Sequence, residues 1–363
     1  MKKVSYCFVN TNDTWGGGEK WHLDMAVSLK NKNYDVKCVV HPHSELKKRL
    51  QKNLIETIDI KIGKLSFLSP FKQGEIKALL KKHRFSHLII TLPSDLKAVG
   101  IAGKNTGIEN IIYARALAAP VKNSLLNRWI FKNVTSHVLV NSLETKRMML
   151  INNPLLIQET KIYLNYYGIN LEDWDSKPVK PLFVKEDNVI YIGNAGRLVE
   201  QKGQHLFIPI ALNLLGKKFN AFRIVIAGTG PLEKKLKQKV IENNLEKYFV
   251  FLGFVDDIKS FMSAIDIFAL TSFWEGFGYV IAEAMSCSKP ICAFDITSNP
   301  ELIKDGENGY LIEPENTREF AESLYKIASN PKLLLKMGRE GRDIIEQKFT
   351  LEYAVKDFLN KTA

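Results

Sequence analysis

Two glutamates with seven residues between them, Glu275 and Glu283, form the sharpest chemical pattern in the sequence. Gly276 and Gly278 follow the first glutamate, in a segment whose pattern predicts a loop between a strand and a helix. Such glycines let a phosphate group approach the backbone N–H groups at the start of the helix. The two carboxylates can then accept hydrogen bonds from sugar hydroxyls. These hydrogen bonds would offset the cost of burying two charged groups.

A glycoside hydrolase uses the same residue type differently. It needs two carboxyl groups that flank a sugar at about 5–9 Å from each other. The spacing of Glu275 and Glu283 does not exclude this chemistry. The surrounding sequence favours phosphate binding instead, because the pair lies within an open α/β pattern whose loops contain basic residues.

A second pattern, Gly196-Arg197-Leu198-Val199-Glu200-Gln201-Lys202-Gly203, follows a predicted strand. Arg197 and Lys202 can converge on a diphosphate, the arginine as a planar fork of donors and the lysine as a compact charge. Two solvated cations on a surface loop explain the same residues equally well. Taken alone, this pattern therefore leaves both interpretations open.

Two further glycine turns connect predicted strands to helices. Trp15-Gly16-Gly17-Gly18-Glu19 opens the first helix, where backbone amides are available to an anion. It differs from the G-x-G-x-x-G dinucleotide fingerprint, since Glu19-Lys20-Trp21 follows Gly18. Gly228-Thr229-Gly230-Pro231 is interpreted mainly as a structural turn with proline at a helix start.

Short apolar runs alternate with longer amphipathic stretches throughout the chain, which is typical of parallel α/β sheets. The length of 363 residues predicts two domains. We expect an N-terminal domain over residues 1–172 and a C-terminal domain over residues 173–345. The segment 173–187, which includes prolines, should join the two domains. Pro209 should kink the helix predicted at residues 204–215 or delay its start.

The positive charge is concentrated in the first half. The formal net charge is +12, yet residues 1–170 hold 26 Lys and Arg against 12 Asp and Glu, and residues 171–363 hold 25 against 27. This asymmetry predicts an anionic partner for the first half, such as a nucleic acid, a phosphorylated substrate or an acidic membrane face. Solubility alone is the simpler explanation.

The cysteines and the N-terminus point to a cytoplasmic protein. Four cysteines without metal-ligand spacing are expected to be buried free thiols. The apolar stretch 4–9 is shorter than the roughly 7–15 residues of a signal-peptide core, and it is interpreted as a first buried strand. No apolar run approaches the roughly 20 residues of a membrane span. A soluble or peripheral protein is therefore expected.

The second half resembles the retaining GT-B glycosyltransferases of family 4 (glycosyl transferases group 1). The resemblance covers nearly the whole chain and is specific over residues 191–313. It rests on Gly196-Arg197-Leu198 with Lys202-Gly203, on Gly228-Thr229-Gly230-Pro231, on the two glutamates, and on Asn299-Pro300-Glu301-Leu302-Ile303 with Gly306-Glu307-Asn308-Gly309. It implies an EC 2.4 hexosyl-type transferase with two facing Rossmann-like domains and the active site in the cleft between them. It also implies a C-terminal helix, within residues 346–363, that crosses back to the first domain.

The resemblance also implies roles for individual residues. Arg197 and Lys202 would hold the donor diphosphate, with Glu275 beside the transferred sugar, and these three are the implied catalytic residues. Glu283 would bind the ribose. The implied donor site comprises Gly17, Gly18, Gly196, Arg197, Lys202, Gly228, Phe254, Val255, Glu275, Gly276, Phe277, Gly278, Tyr279 and Glu283.

No metal or other cofactor is expected. Arg197, Lys202 and helix amides can stabilise the departing diphosphate by themselves. Asp256-Asp257 is interpreted as a helix cap, and Asp173-Trp174-Asp175 as an interdomain loop. The resemblance implies retention of anomeric configuration and names no protein nucleophile.

The acceptor side departs from the family pattern. Family members often place a histidine near the reacting sugar, where this chain has Ile111-Ile112-Tyr113-Ala114-Arg115. Arg115 suits an anionic group, or it is a surface charge. The usual Asn-Gly turn at the end of the first domain appears here as Asn165-Tyr166-Tyr167-Gly168.

The excess cations suggest an anionic membrane face and a lipid-linked or phosphorylated glycan acceptor. Residues 46–52 and 77–84 are basic, and residues 121–132 mix cations with Trp129, Ile130 and Phe131 as interfacial helices do. The alternative is that these aromatic residues belong to the core of an ordinary helix.

Other functions remain open at this level. A nicotinamide-dependent oxidoreductase lacks its fingerprint, and a nucleic-acid-binding protein would leave Glu275 and Glu283 without a role. A catalytically silent sugar-binding relative, a sugar epimerase and a nucleotide-sugar hydrolase share the same fold. UDP-sugars are the first choice of donor and GDP-sugars the second, and cell-surface polysaccharide or lipopolysaccharide assembly is the expected setting.

Overall fold

A computed structural model describes residues 4–362 of the chain. The chain divides into two compact units. Unit 1 comprises Met1–Tyr167 and Leu351–Ala363, and unit 2 comprises Gly168–Thr350. The sequence placed the corresponding boundaries at residues 172 and 345.

Unit 1 contains a seven-stranded parallel sheet in the order β3-β2-β1-β4-β5-β6-β7. Its strands are β1 (Ser5–Asn10), β2 (Asp35–Val40), β3 (Glu56–Asp59), β4 (His87–Ile90), β5 (Asn110–Arg115), β6 (His137–Val140) and β7 (Ile162–Leu164). Its first seven helices are α1 (Gly17–Asn31), α2 (Glu45–Lys52), α3 (Pro70–His83), α4 (Pro93–Asp95), α5 (Ile101–Asn105), α6 (Leu125–Asn133) and α7 (Leu143–Leu150). A π-helical segment, Leu96–Gly100, connects α4 to α5.

Local sequence explains where several of these helices begin. Serine precedes four of them, at Ser44, Ser69, Ser124 and Ser142, and each side chain accepts a hydrogen bond from the backbone N–H three residues further on. This is the usual way to satisfy an N–H group at a helix start. All six residues of β1 are buried, as expected for the interior of a parallel sheet.

Unit 2 contains a six-stranded parallel sheet in the order β10-β9-β8-β11-β12-β13. Its strands are β8 (Ile190–Ala195), β9 (Phe222–Ala227), β10 (Phe249–Gly253), β11 (Ile267–Leu270), β12 (Ile291–Phe294) and β13 (Gly309–Ile312). Its helices are α8 (Leu171–Ser176), α9 (Phe207–Gly216), α10 (Glu233–Glu242), α11 (Ile258–Ala264), α12 (Tyr279–Ser286), α13 (Asn299–Leu302), α14 (Thr317–Ala328) and α15 (Pro331–Lys348).

Pro209 delays a helix start, as predicted. A 3₁₀ turn at Gln204–Leu206 precedes α9, and Pro209 is the third residue of α9. The first N–H groups of a helix have no intrahelical acceptor, so a proline at this position removes no hydrogen bond.

The interpretation of Asp173-Trp174-Asp175 as a loop was wrong. These residues lie in α8, because Asn170 caps the helix by accepting a hydrogen bond from the N–H of Asp173 at 3.2 Å. Trp174 is buried, and Asp175 pairs with Arg342 at 2.7 Å. The charged residues around this segment are typical of a linker, so the capped helix was not predicted.

Three strands escaped prediction: β3, β7 and β13. Each lies at the edge of its sheet and has three or four residues. An edge strand is less buried than a central one, so its apolar pattern is weaker.

The last helix, α16 (Leu351–Thr362), belongs to unit 1. The carbonyl oxygen of Ala354 in this helix accepts a hydrogen bond from Nδ2 of Asn165 at 3.0 Å. The Nε2 of His87 lies 3.0 Å from the carbonyl oxygen of Thr362, and the Phe358 ring stacks on Phe8. The final residues of the chain thus complete the core of the N-terminal unit.

All four cysteines are free thiols, and Cys7, Cys38 and Cys292 are buried, whereas Cys287 is partly exposed. Burial raises the pKa of each buried thiol above its ordinary value. Among residues 4–362 no helix combines the length and the hydropathy that crossing a membrane requires.

Candidate functional site

The predicted site residues of unit 2 follow β8, β9, β10 and β11. The carboxyl ends of these parallel strands share one edge of the sheet. β9 and β10 lie on one side of β8, whereas β11 to β13 lie on the other. The order in which the chain adds parallel strands to the sheet therefore reverses between β8 and β11, which makes this a topological switch point. Open α/β sheets bind ligands outside their carboxyl edge at such a point.

Backbone hydrogen bonds hold the loops after β8 and β9 together. The N–H of Gly196 donates to Ala227 O at 2.9 Å, and the N–H of Leu198 donates to Thr229 O at 2.9 Å. Gly228 has a φ of +148°, and a Cβ atom there would lie 1.9 Å from the carbonyl oxygen of Gly196. Only glycine permits this approach, so Gly228 determines how close the two loops lie.

A second glycine brings the loop after β8 to the loop after β11. Gly203 has a φ of +60°, and a Cβ atom there would lie 2.2 Å from the carbonyl oxygen of Thr271. The Thr271 hydroxyl donates to Lys202 O at 3.1 Å, and the N–H of Phe273 donates to Gln201 O at 2.8 Å. Lys202 is thereby held beside the loop that contains Glu275.

Lys202 and Glu275 form an ion pair, with Nζ 2.6 Å from Oε1. Their side chains are only 13% and 10% exposed. Taking two charges out of water is costly unless they are well paired. The ammonium group has three donors and uses one here, so it can serve Glu275 and an anionic ligand at the same time.

The loop after β12 fixes the backbone of Glu275. The N–H of Glu275 donates to the Thr297 hydroxyl at 3.0 Å, and the Ser298 hydroxyl donates to Glu275 O at 3.4 Å. Thr297 has a φ of +41°, which is strained for a β-branched residue. Sequence reasoning missed Thr297 and Ser298, although they directly precede the Asn299-Pro300-Glu301 motif.

The segment from Gly276 to Tyr279 leads into α12. Gly278 adopts a left-handed conformation with a φ of +77° directly before the helix. Phe277 and Tyr279 are buried, and the Tyr279 hydroxyl donates to Gly168 O at 3.0 Å. Their side chains therefore pack within unit 2, and their part in donor binding stays a prediction. Glu283 lies buried in α12.

Residues 176–344 include all of these loops and match the family described as "Glycosyl transferases group 1". Residues 176–344, slightly less than half of the chain, therefore resemble a group 1 glycosyltransferase domain. The predicted class, a glycosyl-transferring enzyme of EC 2.4, is thereby confirmed. Membership of family 4 and retention of configuration stay predictions.

Curated relatives of this domain are themselves glycosyltransferases. The poly(ribitol-phosphate) alpha-N-acetylglucosaminyltransferase of Staphylococcus aureus (strain COL) is 31% identical over 170 residues, which cover 47% of this chain and 34% of that relative. The Campylobacter jejuni N-acetylgalactosamine-N,N'-diacetylbacillosaminyl-diphospho-undecaprenol 4-alpha-N-acetylgalactosaminyltransferase is 28% identical over 215 residues, which cover 58% and 56%. The matches thus span between about a third and about half of the length of these relatives.

The fold extends the likeness to the whole chain. The crystal structure of Anabaena HepE with UDP and glucose superimposes with a TM-score of 0.82 at 21% identity, covering 98% of each chain. The predicted GT-B fold with two Rossmann-like units is therefore confirmed. The predicted cleft between the domains stays a prediction.

Three further predicted residues of the glycosyltransferase domain are accessible to a ligand. Arg197 is exposed and forms no ion pair with any described residue between 4 and 362. Phe254 is 65% exposed and Val255 partly exposed, both directly after β10. An exposed phenyl ring at a ligand-binding edge offers a surface for stacking a planar group.

Two other predicted donor residues, Gly17 and Gly18, lie in unit 1. Gly17 is the first residue of α1, and a Cβ atom at Gly18 would have no neighbour within 4 Å. The Glu19 carboxylate accepts hydrogen bonds from the Nδ2 atoms of Asn10 and Asn12 at 3.1 and 3.0 Å, which fixes the turn. A contribution of this turn to donor binding stays a prediction.

Arg115, the predicted acceptor-side residue, is the last residue of β5 and only 5% exposed. The alternative that it is a surface charge is therefore wrong. Its side chain lines a cavity of unit 1 at the carboxyl end of the sheet.

Asp257 caps α11 by accepting a hydrogen bond from the N–H of Ser260 at 3.1 Å, as predicted. Within the described range 4–362 no three His, Cys, Asp or Glu side chains are grouped so that they could hold a metal ion.

Proposed function

We propose that the protein transfers a sugar from a nucleotide-sugar donor to a glycan or to a lipid-linked or phosphorylated acceptor. The observation that carries this proposal is the buried Lys202–Glu275 pair at the carboxyl edge of the unit 2 sheet. A cation for the leaving phosphates and a carboxylate for the sugar lie in contact there. Negative charge develops on the diphosphate as the sugar leaves it, and a cation fixed at that place stabilises the charge.

The donor is a UDP-sugar, with GDP-sugars as the second choice. The support for uracil is the Anabaena HepE structure, which holds UDP and glucose on the same fold. In this proposal Arg197 and Lys202 bind the diphosphate, Glu283 binds the ribose, and Phe254 and Val255 contact the base. Glu275 accepts hydrogen bonds from the transferred sugar.

Arg197 and Lys202 also act in catalysis. Negative charge develops on the departing diphosphate, and fixed cations in a partly buried site stabilise that charge without reorganisation. We propose that transfer proceeds with retention and without a metal ion. The S. aureus and C. jejuni relatives carry the prefix alpha in their names, which describes the linkage that those enzymes form.

The acceptor carries phosphate or a lipid diphosphate in this proposal. The acceptors in the names of the two relatives are poly(ribitol-phosphate) and a diphospho-undecaprenol-linked sugar. The charge of unit 1 agrees with such an anion, since most of the excess Lys and Arg lies in residues 1–170. Cell-surface polysaccharide or lipopolysaccharide assembly is the setting that we propose, at the cytoplasmic face of the membrane.

Saturation-transfer NMR with UDP-, GDP-, ADP- and CMP-sugars, without added metal, tests the donor site. We expect saturation of one nucleotide sugar and its displacement by the free nucleotide. Arg197→Gln should weaken that binding about tenfold, since a charge-assisted contact contributes about 1.5–3 kcal/mol. If the folded protein gave no saturation-transfer signal with any of the four nucleotide sugars, the proposed function would be contradicted.

Helix α6 offers a membrane-facing surface. Ile130 and Phe131 are buried core residues, as the alternative predicted, but Leu125 is 83% exposed and Trp129 46% exposed. These two lie four residues apart on one helical face, and Arg128 is exposed between them. This pattern suits an interface with anionic lipid.

Flotation with vesicles that contain phosphatidylglycerol tests this surface at low salt. We expect the wild type to float and the Leu125→Ser/Trp129→Ser variant to bind at least fivefold less, because it loses the apolar contact. Leu335→Ser, at a leucine of unit 2 that is 58% exposed, serves as the control. Absence of wild-type binding would remove the membrane proposal and leave sugar transfer untouched.

A further inference from the structure

A cavity of about 220 Å³ lies within unit 1, at the carboxyl ends of β4 and β5. Residues that follow β4, the loop after β5 and the inner face of α6 surround it. A water molecule occupies about 30 Å³, so the cavity has room for a phosphoryl group together with the first atoms attached to it. Its polar lining consists of Lys97, Tyr113, Arg115, Lys122 and Asn127.

Arg115 is a buried cation that has no counter-ion among the residues that the structure describes. Its Nη1 donates to the Tyr113 hydroxyl at 3.2 Å, and its Nη2 donates to the carbonyl oxygen of Ala119. Its Nε is buried without a hydrogen-bond partner, and it forms no ion pair with a described residue between 4 and 362. A guanidinium keeps its charge at any physiological pH, so burying it unpaired is costly.

Two lysines add to this positive charge. Lys97 is partly buried, with its Nζ 5.9 Å from the centre of the Phe67 ring, and Lys122 is exposed at the rim. The lining contains no carboxylate. The adjacent Asp95 lies outside the lining. Its two oxygens accept hydrogen bonds from the hydroxyl and the N–H of Thr11 at 2.7 and 2.9 Å, although its charge also acts on the Tyr113 hydroxyl.

The neutral groups of the lining also favour an anion. The Tyr113 hydroxyl accepts a hydrogen bond from Arg115, which leaves its own hydrogen to be donated. Burial raises the pKa of Tyr113, so the hydroxyl stays protonated. The Nδ2 of Asn127 donates to Lys122 O at 2.7 Å and thereby fixes the loop that carries Lys122.

We propose that this cavity binds a phosphoryl group of the acceptor, a phosphate monoester or diphosphate, through Arg115, Lys97, Lys122 and the Tyr113 hydroxyl. An anion there compensates a guanidinium that is otherwise unpaired, and it meets donors from several elements of unit 1. The inference rests on the proposed sugar transfer, because only that function gives the chain an acceptor. It names the chemical group by which the acceptor is recognised.

Saturation-transfer NMR of methyl phosphate with the full-length chain tests this inference without requiring turnover. We expect a signal with methyl phosphate and none with uncharged methyl glucoside. Arg115→Gln should weaken binding of methyl phosphate about tenfold or more, since it removes charge-assisted hydrogen bonds. Arg115→Lys should fall in between, because it keeps the charge and loses the planar fork.

Two matched controls locate the binding. Lys104→Gln, an exposed cation in α5, should leave methyl phosphate binding unchanged. In Arg197→Gln, which disables the proposed donor site in unit 2, the Arg115-dependent part of the binding should remain. Binding that is lost in Arg197→Gln but kept in Arg115→Gln would place the anion in unit 2 and overturn the inference. Should Arg115→Gln fail to fold, as judged by its melting temperature, Tyr113→Phe together with Lys122→Gln must weaken binding at least threefold.

Addition of UDP distinguishes the source of the phosphate. If the cavity serves the acceptor, saturating UDP leaves methyl phosphate bound in an Arg115-dependent manner. Displacement by UDP from the Arg115 site would assign the cavity to the donor and contradict the inference. UDP binding in the Arg115→Gln variant reports separately on the proposed donor site, so each proposal fails by its own measurement.

Discussion

Replacement of Lys202 by Met is expected to lower kcat/KM about 10²- to 10³-fold. Removal of one preorganised group that stabilises developing charge has an effect of this size. The variant should also be less stable, because the Glu275 carboxylate, only 10% exposed, loses its partner. Donor-dependent transfer in steady-state kinetics, together with thermal unfolding, measures both effects.

The double variant Lys202→Met/Glu275→Gln separates the two effects. It removes both charges, so its melting temperature should recover while kcat/KM stays low. Lys237→Met is the control, since Lys237 pairs with Glu233 at 2.7 Å on the exposed face of α10. An exposed pair contributes little, and this variant should behave as the wild type. Wild-type kcat/KM in the double variant would show that the pair is only structural.

Replacement of Gly228 by Ala is expected to destabilise the protein by about 2–4 kcal/mol. The added Cβ would lie 1.9 Å from the carbonyl oxygen of Gly196, and the φ of +148° is unfavourable for any L side chain. Because the neighbouring atom belongs to the backbone and not to a flexible side chain, the loops after β8 and β9 must move apart. Binding of the nucleotide sugar should weaken as well, because Arg197 and Lys202 lie in the displaced loop.

Gly216→Ala is the matched control for this prediction. Gly216 ends α9 in the same unit, and a Cβ atom there would have no neighbour within 4 Å. Denaturant unfolding should give this variant the wild-type free energy of unfolding or slightly more, since alanine restricts the unfolded chain. If Gly228→Ala matched Gly216→Ala in stability and in nucleotide binding, the close approach of the two loops would be irrelevant to the site.

Sequence reasoning predicted most of the architecture because its signals are local. Period and composition indicated the parallel strands, and the caps of several helices are readable from residues such as Ser44 and Asp257. Edge strands such as β3 and β13 escaped because their apolar pattern is short and partly exposed. The capped turn at Asn170 escaped because the flanking charges resembled a linker.

For the site, the sequence predicted which residues take part but not how they contact one another. Arg197, Lys202 and Glu275 were singled out, yet nothing in their spacing stated that Lys202 contacts Glu275. Phe277 and Tyr279 were grouped with the donor residues, while the structure uses their side chains in packing. The support of Glu275 by Thr297 was not predicted, because a strained threonine carries no signal in sequence.

By itself the sequence determined the alternation of strands and helices, the glycine turns at the carboxyl edge and the concentration of positive charge in the first half. These depend on neighbouring residues and on composition. The three-dimensional packing places Lys202 Nζ 2.6 Å from Oε1 of Glu275, 73 residues away, and buries Arg115 in a cavity without a counter-ion among the described residues. Such contacts arise from strand order and from close packing between segments that are distant in the sequence, which no local pattern encodes.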